Sequence, residues 1–108
     1  MKANSVDFLN VDASIAGGVT EWRRIAAAAH FFDVGMVHHE EPQIAVHLLS
    51  AIPNSFCVEV FPDPKRDPVW HHMYLGHPRV KDGKMKAPDK PGLGIQIDPD
   101  FVRMYEVN

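Results

Sequence analysis

The sequence predicts an α/β protein made of successive parallel βα units, and three observations predict it. Up to Phe61, short apolar runs of strand length alternate with two longer segments of helical periodicity. The connections are short, as they are where each strand is followed by a helix packed back on a parallel sheet. Beyond Phe61 the texture changes, because seven of the nine prolines crowd the last 47 residues.

Each element has its own local justification. "SVDFLNVD" (5–12) is a buried strand carrying Val6, Phe8, Leu9 and Val11. "GGVTEWRRIAAAAHFF" (17–32) sets Trp22, Ile25, Ala26 and Ala29 at helical spacing, with Thr20 as N-cap and Glu21 in the first turn. His30, near its end, suits the helix C-terminus. "DVGMV" (33–37) is a second strand. "PQIAVHLLSAIPN" (42–54) opens with Pro42 in a first turn, sets Ile44, Leu48 and Ile52 on one face, and stops before Pro53. "SFCVEV" (55–60) is a third strand. Residues 1–61 thus form a βαβαβ portion, and 62–108 a mostly irregular, proline-rich segment. That segment has one hairpin at Asp82-Gly83 in "VKDGKM" and a short strand at "GIQI" (94–97).

Composition narrows the function classes. A chain of 108 residues suits one small domain, and 45% hydrophobic with 23% charged residues is ordinary for a globular protein. A formal net charge of −3 argues against a nucleic-acid or membrane-surface partner. Cys57 is the only cysteine, so an intrachain disulfide and a cysteine-rich zinc site are both excluded. Asp7 and Asp12 interrupt any signal-like apolar run, and the expected location is the cytoplasm.

In a parallel βα array, functional groups gather at the carboxyl ends of the strands. Asp12 ends the first strand, His38 and His39 the second, and Glu59 lies near the end of the third. A carboxylate beside an imidazole fixes its tautomer and strengthens it as a base, so Asp12 and His39 make a coherent pair. Glu59 on the next strand could share a proton with a substrate oxygen. The spacing also fits a loop-capping Asp12 and a solvent-facing Glu59. Consecutive strand residues point to opposite faces, so only one of His38 and His39 can face the site. Glu40 and Glu41 suit the N-terminus of the following helix. The string is not H-E-x-x-H, which removes the zincin reading. His47 fits the edge of a core, and His71, His72 and His77 fit a surface or a weak metal site. "GGVT" fits an anion cradle or simply a tight strand-to-helix turn.

"VDFLNVDASIAGGVTEWRRIAAAA", a strand ending in "HH", a later "VEV" and the closing "APDKPGLGIQID" together resemble the C-terminal part of the barrel domain of the enolase superfamily, mandelate racemase subgroup. The resemblance implies a partial (β/α)8 TIM barrel, strands six to eight with their helices plus the irregular tail, in a chain that looks like a fragment. It implies that Asp12 and His39 form the family's His–Asp dyad. It also implies that Glu59 is the eighth-strand glutamate that binds the substrate carboxylate. Relatives that cycloisomerise muconate carry Lys where Asp12 stands, so the dyad points to mandelate-racemase-like chemistry. The implied reaction is abstraction of the proton α to a carboxylate, with sugar-acid dehydration favoured over racemisation. The implied cofactor is Mg²⁺, bound in the complete family site by carboxylates of earlier strands, so this chain itself offers no metal ligands. The implied partners are a sugar acid or other small carboxylate, and either a second copy or the rest of the barrel. The alternative, from another class, is a catalytically silent structural or interaction module.

Overall fold

The computed structural model describes residues 5–107 and divides into two compact units, Met1–Val60 and Phe61–Asn108. In the first, β1 (Phe8–Asn10), α1 (Val19–Phe31), β2 (Gly35–His38), α2 (Pro42–Ser50) and β3 (Ser55–Val58) follow in order. The three strands form one parallel sheet in the order β1-β2-β3, so both crossovers are helical and adjacent. Residue pairs run Phe8 with Gly35 and Asn10 with Val37, then Val37 with Cys57 and His38 with Val58. The register slips between Met36 and Val37, which leaves Phe56 as the extra residue of β3.

The helices cover one face of this sheet. Trp22, Ala26 and Ala29 of α1 meet Met36 of β2 and Leu48 and Leu49 of α2 in a closed apolar core. Small alanines let α1 lie close to the sheet, and Trp22, fully buried, fills the space that they leave. Asn54 holds the chain between α2 and β3 by donating its side-chain N–H to the carbonyls of Ala26 and Val34, at 3.3 and 3.0 Å. Within this unit, among the described residues, no helix packs on the opposite face of the sheet. Phe8 and Phe56 are 50% and 66% exposed, and their rings meet across β2 at 4.4 Å between centroids, tilted by 39°. A Cβ on Gly35 would sit 2.6 Å from the Phe8 ring, so glycine at this position makes room for the pair.

Several expected boundaries shift for identifiable reasons. Helix α1 begins after Gly18, not at a Thr20 cap, and no side chain caps it. Gly17 and Gly18 take φ of 100° and 93°, values open to glycine, and the Gly18 N–H donates to the Ala13 carbonyl at 2.7 Å. The glycine pair is therefore the tight turn, and the Gly18 amide is already used by it. Helix α2 ends at Ser50, so Ile52 lies beyond it and is only half-buried. Its buried stripe is Ala45, Val46, Leu48 and Leu49.

In the second unit a π-helical turn (Val69–Met73) leads into β4 (Tyr74–Leu75), which pairs antiparallel with β7 (Gln96–Ile97). Strands β5 (Val80–Lys81) and β6 (Lys84–Met85) form the expected hairpin. Asp82 and Gly83, at φ of 51° and 71°, fit the left-handed two-residue turn that an Asp-Gly pair favours. A short helix, α3 (Pro99–Arg103), was not foreseen, although its signals are local. Asp98 caps it by accepting the Asp100 N–H at 2.9 Å, and Pro99 stands in the first turn. Among the described residues, no helix is long and apolar enough to cross a membrane.

Candidate active site at the carboxyl ends of the strands

The β1–β2 and β2–β3 pairings continue past the regular strands, since the Val11 N–H donates to the Val37 carbonyl and the Glu59 N–H to that of His38. These bonds carry Asp12, His39 and Glu59 side by side onto the carboxyl edge of the sheet. The imidazole of His39 lies between the two carboxylates. Its Nδ1 is 3.5 Å from Asp12 Oδ2, and its Nε2 is 3.9 Å from Glu59 Oε2. Both distances are longer than a closed hydrogen bond and within ion-pair range. Each ring nitrogen thus addresses a different carboxylate, from a different neighbouring strand.

The carboxylates are themselves fixed. Asp12 Oδ1 accepts the N–H groups of Ser14 and Ile15, at 2.7 and 3.1 Å, which folds the loop after β1 into an Asx-type turn. The two readings of Asp12 are therefore compatible: one oxygen caps the loop and the other faces His39. Glu59 is half-buried and its Oε2 accepts the Glu40 N–H at 3.1 Å. It faces neither open solvent nor the core.

His38 turns the other way, as strand alternation requires. It is fully buried, with its ring against Trp22 at 5.8 Å. Glu40 and Glu41 both have left-handed backbone, at φ of 52° and 46°, and Glu41 caps α2 without a side-chain bond to it. Rather than serving the helix N-terminus, the Glu41 carboxylate accepts the Ser14 hydroxyl at 2.6 Å, tying the β2 end to the loop after β1. Nothing in residue spacing announces that bond, because Ser14 and Glu41 meet only once β1 and β2 have paired. His47 is half-buried on α2. In the second unit, His71 Nε2 and His77 Nδ1 bond backbone carbonyls of Phe61 and Tyr74, and His72 stacks near Phe101.

The donor set does not suit a magnesium ion. Among the described residues no group of three or more His, Cys, Asp or Glu could hold a metal. Asp12 and Glu59 address opposite nitrogens of the imidazole, and a carboxylate oxygen of each is already occupied by backbone N–H groups. Magnesium wants several oxygens converging in near-octahedral geometry. What the arrangement can do is hold an imidazole in one orientation and let it take or give a proton.

The sequence matches the enolase C-terminal domain-like family over residues 1–101. It is 32% identical to a D-mannonate dehydratase of Sphingomonas sp. (strain SKA58), over 94% of this chain and 26% of that protein. It is 30% identical to a 3,6-anhydro-alpha-L-galactonate cycloisomerase of Streptomyces coelicolor, over 91% of this chain and 26% of that one. The structure aligns over 99% of its length, with a TM-score of 0.91 and 40% identity, with a mandelate racemase/muconate lactonizing enzyme from a marine actinobacterium in complex with magnesium. The match takes in 30% of that chain. The chain thus spans about a quarter of the length of the curated relatives it matches. The parallel βα units, the order of the strands and these matches lead to one conclusion: the chain belongs to the enolase C-terminal domain-like family and corresponds to the C-terminal part of its barrel.

Proposed function

We propose that this chain supplies the proton-transfer side of an enolase-type barrel acting as a sugar-acid dehydratase. The observation that carries the proposal is the His39 ring set between Asp12 and Glu59 at the ends of three consecutive strands. On this reading His39 takes the proton α to the substrate carboxylate, or, once protonated, gives its proton to the departing β-hydroxyl, which leaves as water. Asp12 holds the ring's orientation. Glu59 meets the substrate carboxylate, whose oxygens gain charge as the α-hydrogen is lost, an interaction that strengthens in the transition state. The names of two relatives, a dehydratase and a cycloisomerase of sugar-acid derivatives, favour this substrate class.

The rest of the chemistry belongs to residues beyond this chain. Magnesium, present in the actinobacterial relative, would be held by carboxylates of preceding strands. The chain alone should therefore show no stoichiometric Mg²⁺ site in a calorimetric titration and eliminate water from no sugar acid. A tight one-to-one Mg²⁺ isotherm would contradict this division of labour. The proposal is tested by grafting residues 5–107 onto the barrel of the actinobacterial relative in place of the segment they match. Release of 2-keto-3-deoxy acids from a panel of sugar acids is then followed. Elimination that depends on His39 supports the proposal, and elimination indifferent to His39→Asn overturns it.

A second reading, a catalytically silent module that acts through association, is favoured by the uncovered face of the sheet. Aromatic side chains as exposed as Phe8 and Phe56, next to edges along β1 and β3 that pair with no further strand among the described residues, are costly in water. The chain on its own should associate with itself or with a segment that supplies the rest of the barrel. Light scattering after size exclusion should give a mass above that of the monomer, and a compact, stable monomer would count against it.

A further inference from the structure

We infer that His38, next to His39 in sequence but on the opposite face of the sheet, is the positioning residue that sets the His39 ring between its two carboxylates. The inference rests on the function proposed above for His39, but its geometry stands apart from any activity. The His38 Nε2 accepts the backbone N–H of Ala13 at 3.2 Å. A peptide N–H can only donate, so Nε2 carries the lone pair and the ring hydrogen is on Nδ1. That Nδ1–H lies 3.0 Å from the His39 carbonyl oxygen and 3.1 Å from that of Glu40, shared between the two.

Each of these partners adjoins a site residue. Ala13 directly follows Asp12 on the loop after β1, so the bond to Nε2 fixes the backbone from which the Asp12 carboxylate projects. The carbonyls of His39 and Glu40 belong to the turn that swings the chain from β2 into α2. In that turn Glu40 and Glu41 both hold left-handed backbone, which non-glycine residues keep only when their surroundings impose it. The surroundings are visible. The His38 Nδ1–H engages the carbonyls of 39 and 40, Glu59 Oε2 takes the Glu40 N–H, and the Glu41 carboxylate takes the Ser14 hydroxyl. A single imidazole thus connects the end of β1 to the end of β2 from beneath the sheet.

The size of the ring and its hydrogen bonds can be separated by substitution. His38→Phe keeps an aromatic ring beside Trp22 and removes both connections. His38→Gln can restore one donor and one acceptor. In the full isotopically labelled chain, ¹H–¹⁵N spectra of the imidazole rings should show wild-type His38 protonated at Nδ1 only. His38→Phe should move the His39 ring resonances in the same sense as Asp12→Asn, while the Trp22 indole N–H resonance stays in place. His38→Gln should return the His39 resonances most of the way towards wild type. In the grafted barrel, His38→Phe should lower kcat about 10- to 100-fold with KM changed less than about threefold, as displacement of a catalytic group predicts. His38→Gln should recover much of that loss.

A wild-type His38 bearing its hydrogen on Nε2 overturns the inference. So do His39 resonances unmoved in a folded His38→Phe, and if that variant fails to fold the wild-type ring spectrum still decides. A grafted barrel without His39-dependent turnover defeats the proposed function alone, since the ring spectra still decide what His38 does.

Discussion

In the grafted barrel, His39→Asn should lower kcat for sugar-acid elimination by about 10²–10⁴-fold, the usual contribution of a positioned general acid or base. Asparagine keeps much of the volume and can still hydrogen-bond towards Asp12, but it cannot hold and release a proton. On the proposed function the substrate should still bind, because its carboxylate would be met by Glu59 and by residues outside this chain, so KM should change far less than kcat. That split is the mark of an interaction used in the transition state. A rise in KM at constant kcat would instead make His39 a binding residue. Steady-state kinetics on the grafted wild type and variant distinguish the two.

Trp22→Ala should destabilise the chain by about 3–5 kcal/mol, the range for truncating a buried tryptophan. Three losses combine. The indole is fully buried in the core that joins α1 to the sheet, so a cavity replaces it. Its Nε1–H donates to the Val11 carbonyl at 3.0 Å, one residue before Asp12, and that bond disappears. The His38 ring loses its aromatic neighbour. A loss of this size equals much of a small domain's whole stability, so the variant should be largely unfolded near body temperature. Trp22→Phe should keep most of the packing and cost about 1–2 kcal/mol for the hydrogen bond and the smaller ring. Urea unfolding followed by circular dichroism measures both. A Trp22→Ala midpoint close to wild type would mean that the core is closed by other residues.

The alternation of strands and helices up to Phe61 was legible because each element carries its own periodicity. Trp22, Ala26 and Ala29 repeat at helical spacing, and short apolar runs bounded by turn residues mark β1, β2 and β3. The convergence of Asp12, His39 and Glu59 followed from one topological rule, that parallel strands end on a common edge. The opposite facing of His38 followed from strand alternation. Less legible were features decided by pairing between segments. Ser14 and Glu41 meet across 27 residues of sequence, and the left-handed backbone at Glu40 and Glu41 depends on bonds from His38 and Glu59. The Thr20 cap failed because the glycine pair before it starts the helix two residues earlier. In the proline-rich second unit, Asp98-Pro99 was a readable helix start, hidden by the expectation that so many prolines exclude regular structure. The pairing of β4 with β7 joins segments some twenty residues apart, which no local pattern encodes.

The central claim is that His39, aimed by Asp12 on one side and Glu59 on the other, moves the proton at the carbon α to a carboxylate. The most direct measurement is the fate of that hydrogen in D₂O. Sugar acids carrying hydrogen at Cα are incubated with the grafted barrel, and the remaining substrate and the product are read by NMR and mass spectrometry. The account predicts that α-hydrogen loss, as deuterium gained by the substrate or as elimination to product, occurs with wild-type His39 and falls by at least a hundredfold in His39→Asn. Loss of the α-hydrogen at the same rate in both proteins would contradict it.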